Sequence, residues 1–314
     1  MTGFKGPFKL YNESPVYQVI VALLIIFGVG LTLTIIFIAV GILISGADVS
    51  IFNKPAAAYS GNDLAFMRYL LIIQNISLFI IPSFLILNLL RTESETRISI
   101  FKTPQLKEIG LVIALAICLF PVTSITGEIN SAMHLPHWLS GVEKWMVEQE
   151  DKADNLIDIF ISTTTFPGMI LNLIMIAILP AIGEELIFRG VFQKIFIKLF
   201  KSGHIAIWFT AILFSTLHFQ FFGFVPRLIL GVVFGYLFFW SGNLWLPIMS
   251  HFVNNAFPVI ITYFQDARQL NVSTGISLWK QALGLPVPVT VCLIILFYFR
   301  NKSKRFDAIT SNQE

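Results

Sequence analysis

The chain has 314 residues, of which 56% are hydrophobic and only 12% charged, whereas soluble domains carry roughly a quarter charged residues. With a mean hydropathy of +0.79, this composition excludes an ordinary soluble domain and points to a polytopic membrane protein. The net charge of +3 comes with no basic cluster of the kind that grips nucleic acid, so no nucleic-acid partner is expected.

Apolar runs recur along the whole sequence, each near the roughly 20 residues a helix needs to cross the hydrocarbon core. They predict an all-α, polytopic transmembrane bundle of about eight helices: Tyr17 to Ile44, Met67 to Leu90, Ile109 to Thr126, Gly168 to Phe188, Ile205 to Phe222, Leu228 to Trp240, Leu246 to Phe264 and Leu283 to Phe299. The first run is too long for a signal-peptide core and lacks a basic stretch just before it, so it reads as a retained helix. Gly223, Pro226 and Arg227 interrupt the chain between the fifth and sixth runs. Cys118 and Cys292 sit inside apolar runs without paired spacing.

Thirteen of the 21 basic residues fall in alternate connections: Lys5 and Lys9; Arg91, Arg97, Lys102 and Lys107; Lys194, Lys198 and Lys201; Arg300, Lys302, Lys304 and Arg305. The opposite connections hold Lys54, Arg68, Lys144, Lys152, Arg227, Arg268 and Lys280, and the longest of them is acidic, with Glu143, Glu148, Glu150, Asp151, Asp154 and Asp158. This asymmetry predicts that both termini face inward. The protein is expected to be an integral, multi-pass component of the bilayer, in a bacterium that of the plasma membrane. The acidic connection also carries Trp138, Val142, Trp145 and Met146 at helical spacing, which predicts a short amphipathic helix at the outer interface.

Ionisable side chains at membrane depth are costly and mark function by default. Here they are Glu184, Glu185 and Arg189 on the fourth run, His218 on the fifth, and His251 with Asn254 and Asn255 on the seventh. Glu185 and Arg189, four apart on a helix, are placed to form an ion pair. Adjacent residues diverge by about 100° around a helix, so Glu184 points elsewhere and is free for chemistry. Glu184 lies 18 residues before Ser202 and His218 lies 15 after Gly203, so antiparallel helices would bring them level. His251 lies about 9 Å along a helix from Trp245, and it shares a face with Asn255. Singly, each His or Asn reads as interhelical hydrogen-bonding glue. Together the three sets resist that explanation.

Glu184-Glu185-x-x-x-Arg189, Phe214-x-x-x-His218 and His251-x-x-x-Asn255, with the glycine-bearing helix Leu230-Gly-Val-Val-Phe-Gly235, resemble the CPBP family. These are the CAAX proteases and bacteriocin-processing enzymes, also called Abi, which include the type II CAAX prenyl endopeptidase. The resemblance covers about Gly168 to Phe264. It divides the chain into residues 1–166, a three-helix segment with the outer amphipathic loop; 167–265, the catalytic core; and 266–314, the last helix with a basic tail.

The resemblance implies an intramembrane endopeptidase acting on a peptide or membrane-protein substrate near the cytoplasmic side. Glu184 and His218 would activate water, while His251 and Asn255 would stabilise the oxyanion. It implies no cofactor in the reading preferred here; the alternative is a zinc ion on Glu184, His218 and His251. Against zinc stand the absence of a His-Glu-x-x-His pattern, the spread over three helices and the poor ligand quality of Asn255. His134 and His137 in the outer loop are a weaker metal candidate, since Pro136 disfavours a helical pairing. No Gly-x-Gly-Asp motif occurs, and Ser215 lacks a Gly-x-Ser-x-Gly setting. The rival functions are a non-catalytic bacteriocin-immunity or membrane binding protein, and a proton-coupled transporter.

Overall fold

The structure is a computed structural model that describes residues 9–48, 50, 51, 54, 59–90, 100–268 and 282–311. Lys5, Arg91, Arg97 and Lys280 of the charge pattern lie outside the described residues, as do the side chains of Arg268, Lys304 and Arg305. Among the described residues every regular element is helical: α1 (Pro15–Ser45), α2 (Gly61–Leu89), α3 (Leu106–Ser131), α4 (Ser140–Ile161), α5 (Phe166–Phe200), α6 (Gly203–Thr216), α7 (Phe224–Ser241), α8 (Trp245–Arg268) and α9 (Pro286–Ser311).

Their starts follow side-chain chemistry. Ser14, Thr165 and Ser202 each accept a hydrogen bond from a backbone N–H of the first turn of α1, α5 and α6. Ser60 with Asp63, and Gln105 with Glu108, close reciprocal capping boxes on α2 and α3. Gly46, at φ 65°, and Gly242, at φ 61°, end α1 and α7 in the left-handed conformation that glycine adopts without strain.

Among the described residues six helices, α1, α2, α3, α5, α7 and the span Ala282–Ser303 that includes most of α9, are long and apolar enough to cross a membrane. Among the described residues the expected count of eight is not confirmed, and two features account for the difference. The fifth run was expected to continue to Phe222, but α6 ends after 14 residues, because the chain turns through Phe219 at φ 52°. The polar residues His251, Asn254 and Asn255 dilute the apolar character of α8. Two other boundaries move. α5 runs on to Phe200 rather than Phe188, and α7 begins at Phe224, with Pro226 tolerated in its first turn.

Wide π turns interrupt α2 at Asn75–Ile80 and α5 at Leu173–Ile178, in each case two residues before a proline, Pro82 or Pro180. Proline has no N–H to donate and its ring crowds the carbonyl four residues back, and a wider turn relieves that crowding. Two further π segments have no proline just after them: Ile26–Gly30 in α1, and Leu186–Gln193, which follows the carboxylate pair directly.

Two apolar cores flank the middle of the bundle. One joins Val112, Leu115 and Leu119 of α3 to Phe234 and Leu237 of α7, Leu246 of α8 and Ile295 and Phe299 of α9. The other joins Ala22 and Ile26 of α1, Ile86 of α2, Ile187, Phe188, Val191 and Ile195 of α5, and Phe214 of α6. Between them α5, α6, α7 and α8 meet. At one end of the bundle the α7–α8 turn is tied to the segment before α3, through Leu244 N–H to Ile100 O at 2.7 Å and Asn243 Nδ2 to Lys102 O at 2.8 Å. The acidic helix α4 lies at the other end, against the loop between α6 and α7.

Candidate active site

Close approach of α6 and α7 sets the frame. A Cβ on Gly231 would lie 2.9 Å from Ala211 Cβ, and one on Gly235 would lie 2.8 Å from Ile207 Cγ2, so two glycines one turn apart let the helices touch. They also leave their carbonyls accessible to α5. Arg189 Nη2 donates to Gly231 O at 3.0 Å and Gln193 Nε2 donates to Gly235 O at 3.0 Å, a two-rung ladder between helices.

Arg189 is fully buried and donates Nη1 to Glu185 Oε1 at 2.7 Å. Its guanidinium lies between two rings, with its carbon 5.0 Å from the centroid of Phe214 and 5.6 Å from that of Phe234. Phe234 also stacks on His251 at 5.4 Å, and Phe214 meets His218 edge-on at 4.9 Å. The two phenylalanines thus wall a box around the cation and both histidines.

Glu185 Oε1 also receives His251 Nδ1 at 2.9 Å. His218 Nδ1 lies 2.7 Å from Phe214 O, and because a carbonyl can only accept, that nitrogen carries the proton. Both rings therefore present Nε2 to the remaining carboxylate. Glu184 Oε2 lies 4.0 Å from His218 Nε2 and 3.8 Å from His251 Nε2. Glu184 is partly accessible, its side chain 16% exposed, where Glu185 is sealed at 0%.

The structure therefore brings Glu184, Glu185, Arg189, His218 and His251 together. Asn255 sits one turn beyond His251 and donates to Ile176 O at 3.3 Å, the carbonyl four residues before Pro180 that lacks its usual N–H partner. Asn254 Nδ2 faces Asn255 Oδ1 at 3.5 Å. His134 Nδ1, in the connection before α4, pairs with Glu143 Oε1 of α4 at 2.8 Å. Among the described residues no group of three or more His, Cys, Asp or Glu side chains is placed to hold a metal ion.

Residues 165–257 match the family model of Rce1-like, type II CAAX prenyl endopeptidase proteins. The match begins at the cap of α5 and ends in α8, so it takes in every residue of the box and leaves out α1 to α4 and α9. The matched family is one of proteases, and together with the six membrane-length helices among the described residues the match supports an integral, multi-pass membrane protein. A second similarity is to the uncharacterized protein YpbD of Bacillus subtilis (strain 168), 29% identical over 102 residues, which are 31% of this chain and 49% of that protein. The match thus spans about half the length of that relative. No solved structure was found to match the chain.

Several parts of the box had no sequence signal of their own. Phe234 reads as an ordinary apolar helix residue, Gln193 as a polar residue near a helix end, and the bond from His251 to Glu185 joins residues 66 positions apart.

Proposed function

We propose that the chain is an intramembrane endopeptidase in which Glu184 and His218 activate a water molecule, with His251 and Asn255 on the side of the developing oxyanion. The observation that carries this reading is Glu184 Oε2 standing 4.0 and 3.8 Å from the Nε2 atoms of His218 and His251. Such a gap suits one bridging water, off the line between the atoms and about 2.8 Å from each. The water gives a proton to Glu184 while its oxygen attacks the peptide carbonyl carbon. His218 Nε2 accepts the water's other hydrogen and orients it. The carbonyl oxygen becomes an oxyanion, for which His251 donates from Nε2 in its doubly protonated form, steadied by Glu185 at Nδ1. Asn255 supplies its second amide hydrogen. Collapse of the intermediate breaks the C–N bond, and the proton on Glu184 passes to the leaving amine.

The substrate is a peptide or membrane protein reached from within the bilayer, and the CAAX class of the matched family is the first to try. The mechanism takes no metal. In the rival reading Glu184, His218 and His251 would close to about 2 Å around one zinc ion; chelation with full activity retained supports the metal-free route, and stoichiometric zinc with chelator inactivation overturns it.

The deciding experiment measures cleavage of a fluorogenic, farnesylated CAAX peptide by the purified chain and by Glu184→Gln, together with a comparison of membrane peptides in cells carrying each. Loss of cleavage products with a folded, inserted variant supports the enzyme; no products from either protein sink it in favour of a binder or transporter, and equal cleavage by both moves the base to another group.

A further inference from the structure

The segment 217–223 carries His218 at its start and crosses from α6 to α7; Leu217 N–H still bonds to Leu213 O, and His218 and Phe219 make single-turn bonds to Ser215 O and Thr216 O. Its backbone is also held by side chains. Ser215 Oγ donates to Phe224 O at 2.6 Å, and Arg227 donates Nη1 to Gln220 O at 3.2 Å and Nη2 to Gln220 Oε1. These bonds tie the loop only to the two helices it joins. Glu150 of α4 accepts from Phe222 N–H at 3.3 Å, from a position near the bundle surface.

Asn130 differs from all of these. It sits in the last turn of α3, it is 8% exposed, and it lies outside the Rce1-like segment. Its Nδ2 donates to Phe221 O at 3.0 Å and its Oδ1 accepts from Val225 N–H at 2.9 Å. One side chain thus supplies a donor to the loop and an acceptor to the first turn of α7, each more than 90 residues away in sequence. A carboxamide does both at once, from a donor and an acceptor on separate atoms side by side.

We infer that Asn130 is a positioning residue for the reaction, fixing the loop that presents His218 to Glu184. The inference rests on the catalytic reading of that pair. With Asn130 in place His218 meets Glu184 in one geometry; without it the loop is tied only to its own two helices and to a surface helix. Displacements of about 1 Å in a catalytic group cost roughly 100-fold.

The test uses the full chain in detergent, the farnesylated CAAX peptide as probe, and hydrogen exchange read by mass spectrometry. Asn130→Leu, close in shape but unable to make either bond, is expected to lower kcat roughly 10- to 100-fold with KM nearly unchanged, and to speed exchange in 219–226 but not in 245–257. Asn130→Asp keeps the acceptor and turns a carboxylate on Phe221 O. Its kcat relative to the wild type should therefore recover as pH falls and the protonated carboxyl becomes a donor. Wild-type kcat in Asn130→Leu beside an inactive Glu184→Gln overturns the positioning role alone. Exchange in 219–226 that is unchanged, or no faster than the rise elsewhere, overturns it without reference to any substrate. An active Glu184→Gln enzyme overturns it together with the reading of the site.

Discussion

His251 is held by Glu185: its Nδ1 lies 2.9 Å from the oxygen that also receives Arg189 at 2.7 Å. The second carboxylate of the pair therefore orients a histidine across the cleft as well as neutralising a buried cation. Glu184→Gln should abolish turnover and leave a folded, inserted protein. Glu185→Gln or Arg189→Ala should lower thermal stability too, because removing one partner of a buried pair costs about 3–5 kcal/mol. Melting and turnover measured on the same preparations check this, and near-normal cleavage by Glu184→Gln would show that another group is the base.

Gly231 is expected to tolerate no side chain. In Gly231→Ala the new methyl meets Ala211 Cβ at 2.9 Å and its Cα at 3.1 Å. Separating α6 from α7 to make room should cost about 1–3 kcal/mol and loosen the bond from Arg189 to Gly231 O. A melting temperature equal to that of the wild type would mean that the helices reseat freely.

Asn255 and Asn254 separate a transition-state role from a packing one. If Asn255 donates to the oxyanion, Asn255→Ala should slow turnover roughly 10²- to 10³-fold, about 2.7–4 kcal/mol, with KM little changed. Asn254→Ala should be mild. Steady-state kinetics of the two variants decide the matter, and an essential Asn254 beside a dispensable Asn255 would defeat the assignment.

Docking of α4 should weaken as pH rises. Burial pushes the carboxyls of Glu150 and Asp154 above the ordinary range, with the Phe222 N–H opposing the effect at Glu150 and Asp158 adding to it at Asp154. The docked helix therefore holds more protons than the undocked one. Stability is lost as pH climbs from the usual carboxyl pKa of about 4 through the raised values, and is level above them. Hydrogen exchange in 144–158, corrected for its intrinsic pH dependence, should show less protection at about pH 7 than at about pH 4.5. Glu150→Gln, which keeps an acceptor for Phe222 without the charge, should flatten that difference. Protection that rises with pH would contradict the burial argument.

Orientation can be read with single cysteines at Ser202 and Asp151, in a background with Cys118 and Cys292 replaced. With Lys and Arg facing inward, an impermeant thiol reagent applied to intact cells should label position 151 and spare 202. The reverse pattern turns the bundle over.

Parts of this arrangement are legible in the sequence because they depend on one helix alone. The divergence of Glu184 from Glu185, and the reach of Glu185 to Arg189, follow from 3.6 residues per turn. The end of α6 is not legible, since it is set by a phenylalanine at positive φ, where no residue-type signal marks the turn. The π turns before Pro82 and Pro180 are marked by proline, but periodicity alone does not say that the helix widens and continues. Phe234, Gln193 and Asn130 act across helices, through contacts that no local spacing encodes.

The shortness of α6 bears on the lipid beside it. Fourteen residues rise about 21 Å, against a hydrocarbon thickness of about 30 Å. Ile205, Trp208, Phe209, Ile212 and Leu217 are exposed on α6 and its end, so in a bilayer this face would meet lipid with a hydrophobic height below that of the hydrocarbon core. Lipids next to such a face thin to match it. A substrate segment drawn alongside α6 would cross less hydrocarbon there, and the work of exposing a polar peptide bond would fall on the face where His218 stands.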